Sequence, residues 1–62
     1  MKMNEIMDTI ASLAQSQGFY GRLLRSLRDC QQNDPPAYAR LTNELEAQNF
    51  RDPVDLILYL EG

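Results

Sequence analysis

The sequence predicts an all-α fold, a compact bundle of four short helices near residues 3–16, 19–31, 35–48 and 53–61. Three observations carry that expectation. Apolar residues recur at three- and four-residue spacing through the first half, the pattern of one helix face. Asp34-Pro35 and Asp52-Pro53 repeat a helix start. In each, a carboxylate accepts from free amides, and a ring preset to helical φ follows at a position that needs no N–H. Nothing reads as a βαβ unit, and the connections are short, which favours neighbouring helices packed roughly antiparallel. With 62 residues and no dividing linker, the expectation is a single helical domain, residues 1–62. A domain of this size buries only about 60% of its unfolded surface and is marginal alone, so a partner can supply part of the burial.

Met3, Ile6, Met7, Ile10, Leu13 and Ala14 form one face of the first helix, and Glu5, Asp8, Ser12 and Gln15 the other. Gly18 and Gly21 then bracket Phe19 and Tyr20. Gly18 can end the first helix as a left-handed cap, Ser16 can cap the next, or a continuous helix can bend there. A break is the preferred reading. In the second helix, Phe19, Tyr20, Leu23, Leu24, Leu27 and Cys30 make a broad apolar stripe. Arg22, Arg25 and Arg28 stand almost opposite, with Asp29 placed to pair with Arg25 at i, i+4.

The third helix has a narrower stripe, Tyr38, Leu41 and Leu45, flanked by Ala37 and Thr42. Asn49 suits a C-terminal turn, and Phe50 an anchor between the third and fourth helices. In the fourth, Val54, Leu56, Ile57, Leu58 and Leu60 spread around most of the circumference, while Asp55 is placed to answer the Asp52 cap. The Asp-Pro start and the few β-branched residues favour helix over a buried strand. A helix apolar nearly all round is buried on several sides, so this one is expected to be the central post, with Leu58 in the core.

Charge and chemistry narrow the function. The net charge is −3 and the pI about 4.6. Residues 1–32 are at +1, from four cations against three anions, and residues 33–62 at −4, from two cations against six anions. An acidic chain is poorly placed for nucleic acid, where phosphate neutralisation supplies most non-specific affinity. Cys30 is the single cysteine, so no internal disulfide forms, which points to a reducing, cytoplasmic compartment. No signal peptide is visible, and no apolar run approaches the roughly 20 residues that span a bilayer.

The chain has no histidine, the commonest general base and metal ligand near neutral pH. Cys30, on the apolar stripe, reads as a small core residue. Helix capping accounts for the pair Asp52 and Asp55, and Glu44 and Glu46 diverge on their helix. No calcium loop, phosphate-binding loop or nucleophile elbow occurs. The expectation is therefore no enzyme, no cofactor, no metal site and no catalytic residue.

Two stretches, Ser16-Gln17-Gly18-Phe19-Tyr20-Gly21-Arg22-Leu23 and Glu46-Ala47-Gln48-Asn49-Phe50 followed by Val54-Asp55-Leu56, resemble small uncharacterised proteins carried by conjugative transposons and prophages of gut Firmicutes. The resemblance implies a bacterial, cytoplasmic, mobile-element setting and assigns no functional residue. The leading expectation is a non-enzymatic module that binds a protein partner, with a homodimer as the simplest case. Its contact residues are expected among Phe19, Tyr20, Phe50, Tyr59 and Leu60, left partly exposed because a small bundle has little interior. In a homodimer, the arginines of the second helix would face the acidic C-terminal half. Rival readings are a nucleic-acid-binding accessory or regulator using Arg22, Arg25 and Arg28, and a small inhibitor of a host enzyme or defence system.

Overall fold

A computed structural model describes all residues, Met1–Gly62. It contains four helices and no strand: α1 (Met3–Ala14), α2 (Gly18–Asn33), α3 (Pro35–Ala47) and α4 (Pro53–Glu61). Each boundary has a local cause. Ahead of α1, the Lys2 amide donates to the Glu5 carboxylate at 2.9 Å, and the Met3 amide donates to Glu46 of α3 at 2.8 Å. Two free amides at the positive helix end thus meet carboxylates, one local and one from another helix.

Helices α1 and α2 are separate. The amides of Gln15, Ser16 and Gln17 fold back onto Ser12 and Leu13 carbonyls, and Gln17 turns extended (φ −134°, ψ 118°) to start α2. Neither sequence-based cap is used. Gly18 is the first residue of α2, no glycine has a positive φ, and Gln17 rather than Ser16 precedes the helix. The tightened last turn of α1 already satisfies the carbonyls a left-handed glycine would have served.

A single residue joins α2 to α3. Asp34 donates its amide to the Cys30 carbonyl at 2.8 Å, which closes α2, and its carboxylate accepts from the Ala37 amide at 3.3 Å, which opens α3. Pro35 forces Asp34 out of helical backbone, so the chain must turn there. Between α3 and α4, Asn49 adopts left-handed backbone (φ 55°), a conformation asparagine tolerates better than most residues. Phe50 then turns inward and is buried. The Asp52 carboxylate accepts from the Asp55 amide at 3.1 Å. Asp55 answers, but to the Arg51 amide at 3.0 Å rather than to Asp52.

The core comprises Met3, Ile6 and Ile10 from α1, Tyr20 and Leu27 from α2, Leu45 from α3, Phe50 from the connection and Leu56 from α4. Helix α1 packs against all three others, whereas the backbone of α4 lies against α1 alone. The post of the bundle is therefore α1, which corrects the expectation for α4. Only Leu56 of α4 is fully buried, and Leu58 is 65% exposed. The physical reason is connectivity. Short links fold α2 and α3 back along α1, and a nine-residue helix after them is left one side of the bundle to cover. Nothing remains to cover its outer side.

Candidate functional site

The features that stand out on this molecule lie on α4 and on the first turn of α2. At 100° per residue, Val54 and Leu58 lie on one side of α4, each about 160° from Leu56, which points into the core. Val54 is 60% exposed and Tyr59 52%. Ile57 is half-buried beside a shallow groove shared with Asp8, Thr9, Ser12, Leu13 and Pro53. A surface leucine and valine one turn apart do not contribute to this core. Scattered singly, such residues need no explanation, but on one helix they form a ridge.

The residues expected to bind a partner divide into two groups. Phe19 and Tyr59 are exposed, and Leu60 is half-buried. Tyr20 and Phe50 are core residues, which corrects their assignment as contact residues. Each buried ring carries an exposed one edge-on: Phe19 on Tyr20 with centroids 5.1 Å apart, and Tyr59 on Phe50 at 5.3 Å. Such T-shaped pairs set the positive ring edge against the negative face, so the core holds the two surface rings in place. Tyr20 differs from Phe19 because its one-residue shift in helical phase aims it at α1 and α4.

One partly buried polar contact closes this part of the molecule. The Tyr20 hydroxyl donates to the Glu61 carboxylate at the end of α4. That bond, then burial, then the nearby negative charge push the Tyr20 pKa up from 10.0 to about 12. The bond spans 41 residues of sequence and is the side-chain tie between α2 and α4. No local signal marks it in the sequence. The outward ridge left one hint: Glu61 shares the Val54–Leu58 side of the helical wheel, and charge favours water there.

Arg22, Arg25 and Arg28 are exposed, and none hydrogen-bonds another side chain, so the expected Arg25–Asp29 pair does not form as a hydrogen bond. Arg22 folds back along α2, where a Cβ added to Gly18 would sit 3.9 Å from its Nη1. Cys30 is half-buried, with Sγ 3.9 Å from the Asp34 carbonyl. No three His, Cys, Asp or Glu side chains gather as a metal site. No helix is long and apolar enough to cross a membrane. Comparison with protein-family models, curated proteins and solved structures found no match to this chain.

Proposed function

We propose that this chain is a non-enzymatic protein-binding module whose docking face is the outer side of α4. The observation that carries the reading is the exposed ridge of Val54 and Leu58, with Tyr59 beside it, on a helix whose opposite side already fills the core. Burial of a few large apolar side chains is the main source of protein–protein affinity, and aromatic anchors contribute most per residue. The groove between α1 and α4 at Ile57 extends the same surface. The resemblance to mobile-element proteins supports a bacterial cytoplasmic setting for such a module.

The test is a photo-cross-linking residue at position 58, with position 40 on α3 as the control, in the native host. A specific cross-linked protein is expected from position 58 and not from position 40. The Val54→Ser/Leu58→Ser variant should keep its fold and abolish that complex. A complex that survives both substitutions would contradict the assignment.

The free arginines of α2 favour a second reading, in which Arg22, Arg25 and Arg28 contact phosphates of nucleic acid. The −3 net charge opposes it. No specific duplex DNA binding is expected in a titration at about 50–100 mM salt, where the electrostatic contribution is strong. Sub-micromolar binding that falls steeply with salt and disappears in the Arg22/Arg25/Arg28 triple-alanine variant would favour the second reading over the first.

A further inference from the structure

The occupant that the charges around the α4 face fit is a second copy of this chain. Two unlike half-sites are tied together on each molecule, because the Tyr20–Glu61 hydrogen bond links the first turn of α2 to the last turn of α4. The first half-site is Phe19, 47% exposed, with Arg22 one turn further on. The guanidinium of Arg22 lies back toward Gly18, at that same end of the helix. The second half-site is Leu58 with Val54, followed by Glu61 one turn after Leu58. Helix α2 carries three arginines against one aspartate, net +2, and α4 carries two carboxylates, net −2.

We infer that the chain forms a two-fold homodimer in which Phe19 of each copy seats on Val54 and Leu58 of the other, and Arg22 meets the other copy's Glu61. The inference rests on the reading of α4 as the docking face. Linked, unlike half-sites on one patch suit a two-fold axis: residue i meets residue j, and j meets i, so the contact closes at two copies. The same half-sites on opposite sides of the molecule would instead grow an open chain. Glu61 can serve both roles. Tyr20 occupies Oε2, and a carboxylate has a second oxygen and spare lone pairs for an incoming guanidinium. The charges also set the orientation. Stacking α4 on α4 would oppose like carboxylates, whereas α2 on α4 pairs opposite signs.

Size decides the strength. A standard interface covers about 800 Å² per partner. That would be roughly a fifth of this molecule's 4358 Å² surface, whereas the apolar part of this patch is a few side chains. The dimer is therefore expected in the micromolar range rather than the nanomolar.

Sedimentation equilibrium on the purified whole chain tests the inference. At about 100 μM protein, dimer should predominate, and it should weaken toward about 1 M salt as the Arg22–Glu61 contact is screened. Leu58→Asp and Arg22→Glu should each weaken it about tenfold or more, with unchanged helical circular dichroism because both side chains are exposed. A strict monomer at that concentration, or a dimer indifferent to both substitutions, would overturn it. The cross-link from position 58 separates the two readings. Capture of a different protein by a monomeric chain ends the homodimer and keeps the docking face. A monomer with no such capture ends both.

Discussion

Tyr20 shows how one hydroxyl turns a core residue into a fastener. Its ring fills the space between α1 and the others, and its oxygen holds the end of α4. The pKa raised to about 12 links this contact to alkaline stability. A group whose folded pKa exceeds its unfolded value binds its proton more tightly when folded. Its contribution is complete below pH about 10 and is lost as pH rises through about 12, where ionised tyrosine would face ionised Glu61. Urea-unfolding midpoints across that window should fall for the wild-type chain, and Tyr20→Phe should lack this component. An identical decline in both would place the effect elsewhere. The sequence placed Phe19 and Tyr20 together on one apolar stripe. Helical phase separates the two, since Tyr20 lies inside the stripe between Leu27 and Leu24 and Phe19 at its margin beside Arg22, but the hydroxyl's partner, Glu61, is 41 residues away and has no local signal.

At the scale of the helix, the two Asp-Pro starts were legible, the caps between α1 and α2 were not, and the faces were legible only in part. Asp34 and Asp52 cap as their Asp-Pro context implies, because capping depends on three or four consecutive residues. Removing such a cap costs about 0.5–2 kcal/mol, so Asp52→Ala should lower stability by that amount in urea titrations, and Asp52→Asn by much less. The loss should fall on α4 first, which hydrogen exchange of the Leu56–Leu60 amides would register. Helix α1 was legible in its inward face as well, since Ile6 and Ile10 are buried where the pattern puts them. The α4 pattern carried no such information. With apolar residues on almost every side, its wheel does not state a direction, and only packing against α1 selects Leu56 over Leu58. The outward ridge was thus hidden in the sequence by excess hydrophobicity, the property that makes it a candidate docking face.

For the whole molecule, the consequence of a central α1 is that stability concentrates there. Ile6 and Ile10 are fully buried among residues from the other helices. An isoleucine-to-alanine change in such a site costs about 2–5 kcal/mol. A domain below about 70 residues rarely holds more than about 3–5 kcal/mol in total. Ile10→Ala should therefore leave much of the protein unfolded at 25 °C by circular dichroism, and Ile6→Ala should do the same. A largely folded Ile10→Ala protein with a cooperative melt would show that α1 is not the post. The outer side of α4 has the opposite standing. Val54 and Leu58 are 60% and 65% exposed and lie outside the core, so they are expected to contribute little to the fold.

That claim meets its most direct test in the unfolding free energy of the Val54→Ser/Leu58→Ser variant. Exposed side chains away from caps and core change stability by about 0.5 kcal/mol or less. Urea titration of the double variant is expected to give a midpoint and slope close to those of the wild-type chain, measured where the protein is monomeric. A loss of about 2 kcal/mol or more would mean that Val54 and Leu58 are part of the core, and would contradict a free docking face on α4.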